Sequence, residues 1–101
     1  MPITREEAKK LLSNVPDHHA FRCCDGRVIR NMRDLGKTLA HMPEDSFRYH
    51  ANQNKNDFSR WVKETLGDEK LARGLNRASD KNQALKELAS RISFLSGQLA
   101  Q

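Results

Sequence analysis

Cysteine is nearly absent from this chain, and the two present, Cys23 and Cys24, are neighbours. Adjacent side chains on a strand point to opposite faces, so a bridge between them would be strained. An intramolecular disulfide framework is therefore excluded, and free thiols fit a reducing compartment. No apolar run approaches the length that crosses a bilayer. The opening residues Thr4-Arg5-Glu6-Glu7 read as a helix cap rather than a secretory signal. The expectation is a soluble, cytoplasmic protein without membrane contact.

The motifs that carry chemistry are missing too. There is no Gly-rich phosphate loop, no HExxH and no Walker-type lysine, so nucleotide hydrolysis and metalloprotease chemistry have no support. No CxxC or HxxxH pair exists. A zinc site would have to gather His18, His19, Cys23, Cys24, His41 and His50 from separate elements, so no metal is expected. The one conceivable nucleophile pair is Cys23 or Cys24 with His50, and a cysteine buried as a small hydrophobe is the better reading. No catalytic residue and no cofactor is assigned, and the chain is expected not to be an enzyme.

What the chain does have is charge and helical periodicity. Its 101 residues allow one domain, 1–101, around a single core. Lysine and arginine number 18 against 13 acidic residues, a net charge of +5 that favours acidic partners such as nucleic acid, anionic lipid or an acidic protein. The two signs are interleaved, so a solvated mixed surface competes with a functional basic face.

Thr4 and Glu7 form a capping box, Ala8, Leu11, Leu12 and Val15 mark one apolar face, and Pro16 closes the first helix. Asp25-Gly26, flanked by Ala20 to Cys24 and Arg27 to Arg30, suits the two positive φ angles of a type I′ turn and predicts a short hairpin. Asn31 caps a second helix with Met32, Leu35, Leu39 and Met42 on its stripe and Gly36 inside it. Pro43 opens a short helix from about Glu44 to Ala51. Beyond the polar loop Asn52 to Asn56, Phe58, Trp61, Val62, Thr65 and Leu66 share a helical face that starts at Asn56 or Asp57 and ends at Gly67. Asp68 caps a helix burying Leu71, Ala72 and Leu75. The last helix, from Ser79 or Asp80, carries a heptad-like seam of Leu85, Leu88, Ile92, Leu95 and Leu99 with Phe94 beside it. The expected fold is mainly α: a compact bundle of five or six short helices with one small β-hairpin near residues 20–30.

Three sets of residues are candidates for function. His50, Lys55, Asn56 and Asp57, bracketed by Tyr49, Phe58 and Trp61, form a possible ligand or anion site where backbone N–H groups converge, or else are core, loop and cap. Lys55, Arg60, Lys63, Lys70, Arg73 and Arg77 are candidate phosphate contacts, on two helices that meet at a Gly-containing corner as in helix–turn–helix units. Leu85, Leu88, Ile92, Leu95 and Leu99 either pack within the chain or form a self-association seam.

The run DGRVIRN, MPEDSFRYH, KNDFSRWV and LGDEKLA resembles a small domain family of unknown function found in archaeal and bacterial proteins. The resemblance covers roughly residues 21–75 and is carried by Phe47, Tyr49, His50, Lys55, Asn56, Asp57, Phe58, Trp61, Gly67, Asp68, Leu71 and Ala72, among others. It implies a helical domain and no known activity, ligand or cofactor. The first helix and the heptad-like helix of about residues 80–100 lie outside it. The functional expectation is a non-enzymatic interaction module that binds a protein partner or itself through the C-terminal helix. The alternative is a basic nucleic-acid-binding protein using phosphate contacts from the 55–77 region.

Overall fold

Helix starts in this protein are set by side-chain oxygens. Thr4, Asn31, Asn56, Asp68 and Asp80 each accept the backbone N–H of the residue three positions on, at 2.7 to 3.1 Å. Each bond satisfies one donor that the first helical turn leaves without a partner. The helices that follow them are α1 (Arg5–Leu12), α2 (Met32–His41), α4 (Asp57–Trp61), α5 (Glu69–Arg77) and α6 (Lys81–Leu99). The remaining helix, α3 (Glu44–His50), begins after Pro43, which has no N–H to satisfy. The computed structural model describes residues 3–100.

The fold is mainly α, with one small antiparallel hairpin of β1 (Phe21–Arg22) and β2 (Val28–Ile29), pairing Phe21 with Ile29 and Arg22 with Val28. Its turn is not the expected type I′, because Asp25 does not take a positive φ and Gly26 alone does, at 94°. Cys23 N–H reaches Arg27 C=O at 2.8 Å and Gly26 N–H reaches Cys23 C=O at 3.0 Å. The loop therefore holds three residues, Cys24 to Gly26, with glycine in the left-handed position. Asp25 instead turns its carboxylate to the Arg27 N–H.

Two other boundaries differ from expectation. α1 stops at Leu12, short of Pro16, because the Ser13 hydroxyl bonds Lys9 C=O at 2.6 Å and Val15 departs to place its N–H on Arg30 C=O at 2.8 Å. α4 continues directly into a π turn, Val62–Leu66, which closes when the Gly67 and Asp68 N–H groups both fall on Val62 C=O. Gly67, at φ 82°, makes the corner into α5.

α6 is long, at 19 residues, and packs along α1, α2 and α5. Its seam is used inside the same chain: Leu88 and Leu95 are fully buried, and Leu85, Ile92 and Leu99 pack half-buried against the same core. Of the two uses the seam offers, packing within the chain takes Leu88 and Leu95 fully and Leu85, Ile92 and Leu99 in part. Within the same core, Phe21, Phe47, Phe58 and Trp61 stack or meet edge to face at centroid distances of 5.1 to 6.0 Å. Trp61 Nε1–H donates to His19 C=O at 2.8 Å, holding the 3₁₀ turn at Asp17–His19 over this cluster.

One buried ion pair joins α6 to the corner. Arg91 donates from Nε to Asp68 Oδ2 at 2.8 Å and from Nη2 to Asp68 Oδ1 at 3.1 Å, and the same Oδ1 caps α5 at Leu71 N–H. The Asp68 side chain is 1% exposed and that of Arg91 10%. Removing either partner strands the other charge. Arg91→Ala is expected to cost about 3–5 kcal/mol in urea unfolding, the range for breaking a buried pair.

Gly36 offers the opposite case. A Cβ there would sit 3.9 Å from Ile92 Cδ1, an ordinary contact, and Gly36 has no positive φ. Gly36→Ala is expected to stabilise the protein by about 0.5–1 kcal/mol, the helix-propensity difference, with an unchanged m-value in the same urea titration.

Candidate functional site

The residues His50, Lys55 and Asp57 do converge, at the junction of α3, the loop 51–56 and the hairpin turn. His50 Nε2 accepts the Cys24 backbone N–H at 3.0 Å. The proton of the neutral ring therefore sits on Nδ1, which donates to Asp57 Oδ2 at 2.9 Å. Lys55 Nζ donates to that same oxygen at 2.9 Å and lies 4.8 Å above the Tyr49 ring. His50 is buried, with its ring against Phe21 and Phe58. It acts as a bracket: one nitrogen holds the hairpin turn, the other holds the start of α4.

This bracket takes up the imidazole that the sequence pairs with the thiols. Both His50 nitrogens are occupied, and Cys23 faces the core. Burial pushes the Cys23 thiol up to about 11, with Asp25 and Cys24 adding to the shift and Arg27 opposing it. Cys23 thus stays protonated at neutral pH and packs as a hydrophobe, while Cys24 points outward from the turn. Among the described residues no group of three or more His, Cys, Asp and Glu converges as metal ligands do, and no helix is long and apolar enough to cross a membrane.

An anion at the start of α4 would meet a carboxylate already in place. Asp57 occupies the first turn and accepts from both His50 Nδ1 and Lys55 Nζ, while Asn56 points away from them. Asn56 caps Ser59 N–H through its oxygen and donates from Nδ2 to Leu75 C=O at 3.2 Å. The four residues expected to form a ligand or anion site are therefore partnered within the chain.

The open surface lies next to them. Asn56 to Leu75 and Ser59 Oγ to Ala72 C=O, the latter at 2.6 Å, clamp α4 beside α5. Between the two helices runs a groove of about 430 Å³, where Arg60 and Lys63 face Arg73. Glu64 and Glu69 lie at its Gly67 end, and Asn56 and Asn76 at the other. The Arg60–Glu64 pair is long, at 3.8 Å, and both side chains are largely exposed, so it holds Arg60 only loosely. Lys70 and Arg77 are exposed on α5 but do not line the groove, and Lys55 is held by Asp57. At its amide end the groove opens into a larger cleft of about 800 Å³ between α3, the loop 51–56 and the junction of α5 with α6, which shares Asn56 and Asn76 with it.

Sequence reasoning did not find Arg91. Its signal was a basic residue on the stripe Ala84, Leu88, Arg91, Leu95, where a charge needs a buried partner. Sequence reasoning paired His50 with the Cys23 or Cys24 thiol and missed the Cys24 backbone N–H that His50 in fact accepts, since a backbone N–H carries no sequence signal.

A family model described as "Family of unknown function (DUF5752)" matches residues 19–96, and the chain belongs to that family. No curated protein and no solved structure matches. The matched span takes in most of α6 as well as the hairpin, so the Asp68–Arg91 pair lies wholly within the family region. Only α1 precedes it.

The Asp57 network has a pH signature. Burial raises the Asp57 carboxyl, but the His50 hydrogen bond and Lys55 outweigh it and bring the net value below the ordinary 3.8. A folded-state value below the unfolded one gives stability that is full above 3.8 and lost as pH falls through the lower folded value. In urea unfolding from about pH 6 to pH 2, the wild type is expected to lose its advantage over Asp57→Asn only below 3.8.

Proposed function

We propose that this member of the family is a non-enzymatic module that binds single-stranded nucleic acid through phosphate contacts in the α4–α5 groove. The observation that carries the reading is that Arg60, Lys63 and Arg73, from two helices, line one open groove. The π turn contributes Lys63 and Glu64 to that groove, and π turns recur at functional positions in helices. The net charge of +5 adds a long-range bias toward polyanions.

The form of the surface favours a single strand over a duplex. A helix–turn–helix unit reads duplex DNA by inserting its second helix into a groove about 12 Å wide. Here the three cations line a concave slot between the helices, and Leu71, Ala72, Gly74 and Leu75 hold α5 against the body of the protein. A single strand can lay its one line of phosphates along such a slot. The partner-binding reading through α6 has less to rest on, because Phe94, 46% exposed beneath Arg91, is the one large apolar side chain that α6 leaves in solvent among the described residues.

Three phosphate contacts predict a slope of log K against log salt of about −2, taking about −0.7 per contact on a single strand. Fluorescence anisotropy with a labelled mixed-sequence strand is expected to show roughly 20-fold weaker binding at 200 mM than at 50 mM salt. Lys63→Gln and Arg73→Gln should each flatten the slope by about 0.7. No binding at about 50 mM salt, where phosphate contacts count most, would remove the reading.

A further inference from the structure

The larger cleft differs in chemistry from the groove that leads into it. Its charged residues are engaged, Arg48 with Glu44 at 3.7 Å, Lys55 with Asp57 at 2.9 Å and Asp80 as the cap of α6, and its amides divide into those used by the fold and those left over. Asn52 is used by the fold, donating to Arg48 C=O at 2.9 Å and to Tyr49 C=O at 3.5 Å and accepting Asn54 N–H at 2.9 Å, and Asn56 caps α4 and ties it to α5. Gln53, Asn54 and Asn76 also line the cleft, and among the described residues their carboxamides take no partner. The loop that presents the first two is held at its base by the Ala51–Asn56 bridge and by Asn52 N–H on Lys55 C=O at 2.9 Å. The cleft thus carries three free amides, two of them on a loop whose backbone is already tied.

A carboxamide offers two donors and one acceptor without charge. Phosphate oxygens only accept, so such a set is poorly matched to phosphate and well matched to a base edge, which carries donors and acceptors side by side. Among bases, adenine presents the N6 donor and N7 acceptor that an Asn or Gln amide meets in a bidentate pair. Phe47, Ala51 and Ala78 add apolar wall on which the face of a base can lie. Asn76 follows Arg73 by three residues on α5, so the two side chains are neighbours on one helix face, about 5–6 Å apart at Cβ. A phosphate held at Arg73 therefore brings its own nucleotide to the mouth of the cleft.

We infer that the cleft bounded by α3, the loop 51–56 and the α5–α6 junction is a base subsite that takes an unpaired adenine, read by Gln53, Asn54 and Asn76. The inference rests on the nucleic-acid reading, in which the groove holding Arg60, Lys63 and Arg73 delivers the strand. Groove and cleft divide the work: Arg60, Lys63 and Arg73 supply salt-dependent affinity, and the amides supply preference among bases.

The test separates the two with three probes and one spectrum. Adenosine, which has no phosphate, is titrated to millimolar concentration into ¹⁵N-labelled protein, and an abasic deoxyribose-phosphate strand, which has no base, is titrated separately. Adenosine is expected to shift the side-chain amide signals of Gln53, Asn54 and Asn76 and leave those of Asn52 and Asn56 in place. Uridine at the same concentration should give smaller shifts. The abasic strand should move backbone signals around Arg60, Lys63 and Arg73. If adenosine moves none of the three free amides, or if uridine moves them equally, the base subsite is wrong whatever the abasic strand does. If adenosine shifts them and the abasic strand is silent, the subsite stands and the phosphate groove falls. As a control on folding, Asn54→Ala and Asn76→Ala should abolish the adenosine response while keeping the wild-type backbone spectrum.

Discussion

The Asp68–Arg91 pair is the contact on which the arrangement of helices depends. Asp68 sits in the corner after Gly67, and its carboxylate accepts three N–H groups, one from Leu71 and two from Arg91. A charge so enclosed is tolerable because three donors, two of them on a guanidinium, compensate it. The carboxylate therefore does two things at once: it starts α5 and it fixes the position of α6 against that start. Because α6 also packs on α1 and α2, setting it relative to the corner sets the two halves of the core relative to each other. Lys81 makes a weaker second tie, its ammonium donating to Met42 C=O at 2.8 Å where α2 ends.

His50 plays the corresponding part at the hairpin turn. Two strands of two residues cannot hold a turn in place by themselves. The Cys24 N–H bond to His50 fastens that turn to α3, and Asp57 carries the connection on to α4. A histidine, a lysine and an aspartate near cysteines resemble catalytic equipment in a sequence, and here their hydrogen-bonding capacity goes into joining three elements. Groups that the fold leaves free lie along the α4–α5 groove and in the cleft at its end. The loop 51–56 belongs to both accounts, since Asn52 and Asn56 hold it while Gln53 and Asn54 face the cleft.

Local features were legible to the extent that their physics is local. The caps at Thr4, Asn31, Asn56, Asp68 and Asp80 act within three residues, and the stripes on α2, α5 and α6 follow from a period of 3.6. These residues could be assigned from spacing. The hairpin was legible as a hairpin, but its turn type was not, because Asp25 bonds Arg27 N–H and leaves the left-handed position to Gly26 alone. At the candidate site, the membership of His50, Lys55 and Asp57 could be read from the signature, whereas their use could not.

The sequence by itself determined where helices begin, which faces are apolar, that the two thiols diverge, and that the net charge is positive. Those properties reside in single residues and their near neighbours. The tertiary structure alone decided that the α6 seam lies against α1, α2 and α5, that Asp68 meets Arg91 across 23 positions, and that His50 is filled on both nitrogens. It also decided which of six basic candidates share a groove, bringing Arg60, Lys63 and Arg73 together and leaving Lys70 and Arg77 outside it. The reason is that a cap or a stripe is satisfied by residues a few positions away, while a buried charge, a buried imidazole or a groove is completed by whatever the packing of distant helices brings to it.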